Sequence, residues 1–152
     1  MEEPLVMKTQ RSDPVNRPAH YLAASVMIEP IELTARLDSC LGQAVQYVLR
    51  APYKGSERED LKKAVYYLCK RIDLIKFSAA RIQCVFEGEI CGFISIFQNE
   101  LEDDFAQEFL LKLFDRDARG VFVSEVEQAS AAVELIQSKL DVMCLEDVRA
   151  MR

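Results

Sequence analysis

Leu41-Gly42-Gln43-Ala44-Val45-Gln46-Tyr47-Val48-Leu49-Arg50, then Ala51-Pro52-Tyr53-Lys54-Gly55, then Ser56-Glu57-Arg58-Glu59-Asp60-Leu61-Lys62-Lys63-Ala64-Val65-Tyr66-Tyr67-Leu68: these residues decide the fold. In the first run Leu41, Ala44, Val45 and Val48 recur at helical spacing, continuing from Leu37. Pro52 lacks the amide that a helix interior needs and Gly55 permits a turn, so residues 51–55 read as a loop. Ser56 and Glu59 fit a capping box. The helix it opens carries Leu61, Ala64, Val65, Leu68, Ile72 and Ile75 on one face, and is predicted to run to about Arg81. Two amphipathic helices joined by a short loop predict an α-hairpin.

Upstream, Pro30 suits a first helical position, while Asp38, Ser39 and Gly42 leave open whether one helix or two precede the loop. Residues 1–19 hold Pro4, Pro14 and Pro18 among polar residues and read as an extended arm. Downstream, Gly88 and Gly92 punctuate a stretch whose Ile90–Phe97 run reads as helix rather than strand. Asn99 to Asp115 is predicted helical, with Asn99 as cap, acidic residues at its positive end, and Phe97, Leu101, Phe105 and Phe109 as a stripe. Ser124-Glu125-Val126-Glu127 is a second capping box, followed by Ala129, Val133, Ile136 and Leu140. The expected fold is mostly α. A helical hairpin core (20–83) follows the arm (1–19) and precedes an additional C-terminal helical region (84–152) for packing or oligomerisation.

The chain has 152 residues, is 50% hydrophobic and 29% charged, and carries a net charge of −6. That length supports one real core. The total conceals a division: residues 1–83 carry a net +3 and residues 84–152 a net −9. All five tyrosines and the single histidine lie before residue 68, whereas all eight phenylalanines follow it. Tyr brings a hydroxyl to a partly wet surface and Phe mainly buried area, so the front half reads as a working surface. The five cysteines form no C-x-x-C pair and have one histidine beside them in composition, which disfavours zinc. They read as reduced, small core residues. No apolar run approaches a membrane span and no signal peptide is visible, which points to a cytoplasmic, soluble protein.

Gln43, Gln46, Tyr47 and Arg50 are spaced i, i+3, i+4, i+7 and share one face of the first helix. Asp60, Lys63 and Tyr67 share a face of the second, and Lys54 sits in the loop between. In a hairpin these side chains converge on one groove. That set suits a nucleotide: Arg and Lys for phosphate, Gln amides for base edges, Tyr for stacking or sugar contact.

Several blocks in order carry a family resemblance: His20-Tyr21, Ile28-Glu29-Pro30-Ile31-Glu32, residues 41–51, Lys54-Gly55, Glu59 to Ala64 and Tyr67-Leu68. Over about residues 17–72 the chain resembles the phage nucleotide kinase family. The resemblance implies a deoxynucleoside monophosphate kinase, with His20, Tyr21, Tyr47, Arg50, Lys54, Asp60 and Lys63 as site residues and a host-cytoplasmic location. Gln43 stands where that family has Asn, and Gln46 where it has Lys; the second change weakens catalysis relative to binding. No G-x-x-x-x-G-K-[ST] cradle occurs, so Arg50, Lys54 and Lys63 would hold phosphates with a metal, Mg²⁺, at Asp60 and Glu32. On this reading Arg50→Ala is expected to abolish nucleotide binding while the protein stays folded.

Three other readings stand beside it. The protein binds a nucleotide or nucleotide signal without turnover. Or Glu29-x-x-Glu32 with Glu57-x-x-Asp60 supplies the paired carboxylates of a Mg²⁺-dependent all-α nucleoside triphosphate pyrophosphohydrolase. Or residues 84–152 dock a host protein. A nucleic-acid partner is not expected from a negative chain without a dense Lys/Arg run, no membrane partner is expected, and a homo-oligomer is.

Overall fold

The computed structural model describes residues 14–15, 29–77, 95, 100–114 and 124–151. Its first helix, α1 (Pro30–Thr34), begins at the proline, with Glu29 as N-cap in extended backbone. The chain then turns, and Asp38 restarts it. The Asp38 backbone is extended, and its Oδ1 accepts the Leu41 amide at 2.9 Å, which caps α2 (Ser39–Arg50). Two helices therefore precede the loop, because Asp38 provides a second N-terminus. Gly42 lets them approach: a Cβ there would sit 3.1 Å from the Thr34 carbonyl oxygen.

The loop is a 3₁₀ turn, Ala51–Tyr53, followed by Gly55 at φ +77°, a left-handed conformation that side chains disfavour. The long helix α3 (Glu57–Phe77) opens directly after Ser56, and the predicted extension to Arg81 lies outside the described residues. So does Ile90–Phe97, except for Ser95, which is helical.

The expected cap Asn99 lies outside the described residues; Glu100 is helical, residues 101–103 are not, and a helix starts again at Asp104. α4 (Asp104–Leu113) has Asp103 as its N-cap, accepting the Phe105 amide. The later start has a physical reason. Leu101 is buried in a non-helical approach, and its carbonyl accepts a hydrogen bond from the Gln107 side chain instead of from a helix turn. α5 (Glu125–Ala150) opens on the predicted capping box, with Ser124 and Glu127 each accepting the other's amide. No strand occurs among the described residues, and no helix there is long and apolar enough to cross a membrane.

One core joins the five helices α1 to α5. Leu33 of α1, Val45, Val48 and Leu49 of α2, Leu61 and Leu68 of α3, Phe109 and Leu110 of α4, and Ile136 of α5 are each essentially inaccessible to water. Burial of each such side chain contributes about 1.5–3 kcal/mol. α3 is the hub, packing on α2 and on α5, while α4 lies against α5 and the edge of α2. Alanines at 44, 64, 129 and 132, all fully buried, allow the helices to sit close.

A buried ion pair ties this arrangement together. Arg71 of α3, 3% exposed, donates from Nε to Asp38 Oδ2 at 2.7 Å, and its Nη2 lies 3.4 Å from Glu125 at the start of α5. Asp38 thus serves two elements, one oxygen for the α2 cap and the other for α3. Not all cysteines follow the expectation of core residues. Cys40 is partly buried, but Cys69 and Cys144 are exposed, because each falls on the outward side of its helix. Burial, reinforced by the Asp38 carboxylate, pushes the Cys40 thiol pKa up.

Asp38→Ala removes both the cap and the partner of a buried guanidinium, and is expected to cost at least about 3 kcal/mol. Asp38→Asn retains an oxygen for the cap and should cost less; chemical denaturation of the two variants checks the order. At mildly alkaline pH an alkylating reagent followed by peptide mapping should label Cys69 and Cys144 well before Cys40.

Candidate functional site

Tyr47 and Arg50 lie one turn apart on α2, and the antiparallel α3 brings Asp60, Lys63 and Tyr67 opposite them. Arg50 meets Asp60 in a two-pronged ion pair, Nε to Oδ2 at 2.9 Å and Nη2 to Oδ1 at 3.0 Å. Asp60 is 1% exposed and Arg50 13%. The Arg50 guanidinium also lies over the Tyr47 ring, 4.3 Å from its centre, and the Lys63 ammonium lies 5.6 Å from the same ring. Tyr47 stacks on Tyr67 with ring centres 5.8 Å apart and planes 15° from parallel, and Tyr66 meets Tyr67 edge-on at 5.3 Å. Lys63 is about half exposed, with its Nζ 3.9 Å from both Glu59 and Asp60 carboxylate oxygens. The outer side of the hairpin is thus an aromatic ladder, capped by cations and ending at the exposed Tyr66 ring.

The other predicted residues fall elsewhere. Gln43 and Gln46 turn toward α1 and line a shallow cleft of about 180 Å³ with Ile31, Thr34, Asp38 and Gly42. The four residues expected on one α2 face therefore serve two adjoining surfaces, Gln43 and Gln46 beside α1 and Tyr47 and Arg50 beside α3. Lys54 is exposed in the turn, and Glu32 is exposed on α1. His20 and Tyr21 lie outside the described residues. Of the remaining tyrosines, Tyr53 is not at this surface. It packs against the core, and burial together with Asp103 and Glu102 pushes its hydroxyl pKa up.

The acidic residues do not form a cation site. Both Asp60 oxygens accept from Arg50, so Mg²⁺ there would have to displace a buried guanidinium. Glu57 is paired with Lys139 of α5 at 2.6 Å. Among the described residues no three His, Cys, Asp or Glu side chains come together as a ligand set. The donors at Asp60 and Glu32 do not fit the metal expected of them.

Tyr66, Asp38 and Arg71 escaped the sequence reading. Tyr66 had a signal in its direct adjacency to Tyr67. The other two had a subtler one. Residues 50 and 60 flank Gly55 symmetrically, and 38 and 71 do so to within one residue, as facing positions of an antiparallel hairpin must.

Residues 15–69 match the family model described as a protein of unknown function, DUF3310. That match corrects the resemblance to the phage nucleotide kinase family, because nothing in it identifies a nucleotide kinase. It spans α1, α2 and most of α3, and stops before Arg71, α4 and α5. No curated protein and no solved structure gives a significant match.

The ion pair changes what an Arg50 substitution means. Arg50→Ala strands a buried carboxylate and is expected to destabilise the protein by about 3–5 kcal/mol, so folding would not be left intact. Thermal unfolding of Arg50→Ala beside Arg50→Lys checks this. Lysine should recover only part of the loss, since it cannot make the two-pronged contact.

Proposed function

We propose that the α2–α3 face binds a nucleotide without turning it over. The observation that favours it is the meeting of Tyr47, Tyr66 and Tyr67 with the Lys63 ammonium at one partly wet surface. An exposed ring such as Tyr66 offers a π-face to a base. A half-exposed ammonium offers charge to a phosphate without the rigid fork of arginine. Lys54, exposed in the adjoining turn, adds a second cation, and the Gln43 and Gln46 amides of the neighbouring cleft offer donors and acceptors for a base edge.

Binding is favoured over phosphoryl transfer by the state of Asp60. A carboxylate that both positions a metal and accepts a hydroxyl proton needs lone pairs open to the ligand, and here Asp60 is 1% exposed with Arg50 bonded to both oxygens. Arg50 and Asp60 are therefore scaffold: they set where Tyr47 and Lys63 stand. A pyrophosphohydrolase draws no support from Glu57, which is occupied by Lys139.

A nucleotide panel should raise the melting temperature of the wild-type chain, since a ligand that binds only the folded state stabilises it by mass action. Calorimetric titration of the best ligand should show Lys63→Ala and Tyr66→Ala binding roughly tenfold more weakly, about 1.4 kcal/mol each. Both residues are exposed enough for the variants to fold. Wild-type protein that responds to no nucleotide, or a Lys63→Ala variant with undiminished affinity, would overturn the assignment. Label passing from ATP to a nucleoside monophosphate would replace the binder with a transferase.

A further inference from the structure

The last three turns of α5 carry a pattern that the core does not use. Val142, Leu145 and Val148 are 53%, 59% and 53% exposed, although all three are apolar. At 100° per residue they lie, with Asp141 and Arg149, within an arc of about 120° centred on Leu145. Asp147 lies on the opposite side of the helix, where its carboxylate meets the Arg58 guanidinium of α3 at 2.5 Å. That contact turns the Leu145 face away from the described core.

The order of residues on this face is self-complementary. Counting outward from Leu145, a valine stands three positions away in each direction. At four positions stand Asp141 on one side and Arg149 on the other. Two copies of this segment laid antiparallel about a two-fold axis at Leu145 place leucine on leucine and bring Val142 level with Val148 across the two flanks of the seam. The same register sets Asp141 opposite Arg149 twice. A parallel pairing sets Asp141 on Asp141 and Arg149 on Arg149, and is disfavoured by like charge. Asp141 retains capacity for this contact, since among the described residues it accepts at Oδ1, from Gln137 at 3.2 Å.

We propose that the C-terminal half of α5 is a docking surface for a second copy of this chain, paired antiparallel and centred on Leu145. The face covers three turns of one helix, well below the roughly 800 Å² per partner of a standard interface. The dimer is accordingly weak and reversible, with ends that salt loosens. It lies on α5, outside the matched family segment, so it does not depend on the nucleotide reading.

Sedimentation velocity on the full chain, from micromolar to millimolar concentration, tests this. The average mass of the wild type should rise from one chain toward two as concentration increases. Leu145→Glu puts two carboxylates together on the axis, and should weaken association at least roughly tenfold without lowering the melting temperature. Asp141→Arg and Arg149→Asp should each weaken it, and the double variant should restore it. A wild type that stays monomeric throughout would overturn the proposal. So would a dimer that survives Leu145→Glu, or a double exchange no stronger than its single parents.

Discussion

The hairpin is held by two ion pairs of opposite polarity, one at each end. Near the loop the cation is on α2 and the anion on α3, Arg50 to Asp60; at the open end the order reverses, Asp38 to Arg71. A slide of one helix past the other by a single turn would break both pairs, at several kcal/mol each. The apolar contacts between α2 and α3 would tolerate such a slide far better, because leucine, valine and alanine are interchangeable at that resolution. The ion pairs thus specify register more than they add stability. Register in turn decides which side chains meet on the outer face.

This constraint explains why the groups that look most reactive in the sequence are structural. Arg50 and Asp60 have the composition of a phosphate clamp and a metal ligand, but each meets the other's need for a partner. What remains for a ligand is the set these two position: the tyrosine ladder with Lys63 on the rim. Arg71 extends the same logic to the second half of the chain. Its guanidinium reaches both Asp38 and Glu125, so the start of α2, the middle of α3 and the start of α5 share one charge centre. Lys139 to Glu57 and Arg58 to Asp147 repeat the link further along α5. Two of the acids in the surplus after residue 83, Glu125 and Asp147, meet Arg71 and Arg58 of the front half.

Much of the local structure was legible. Pro30, the Pro52–Gly55 break and the Ser124–Glu127 box each act through the residue's own backbone or one a few positions away, and each is found where the pattern puts it. The expected cap Asn99 lies outside the described residues; the helix over Asp104–Leu113 is capped by Asp103, after a buried, non-helical Leu101. The cysteines show where local reading ends. Composition makes a free cysteine a core residue on average, but Cys69 and Cys144 are placed by the rotation of helices whose buried faces are set by other residues.

By itself the sequence determined a mostly helical fold with a hairpin at its centre, because hydrophobic period, proline, glycine and capping residues act within a few positions of one another. It also brought Tyr47, Arg50, Asp60, Lys63 and Tyr67 to one surface, since helical spacing and a short loop leave little freedom there. Only the tertiary structure decided what those residues do to each other. Whether a guanidinium faces a ligand or a carboxylate depends on the register of two helices to within one turn. That register is set by Asp38 and Arg71, more than thirty residues apart in the chain and 2.7 Å apart in space.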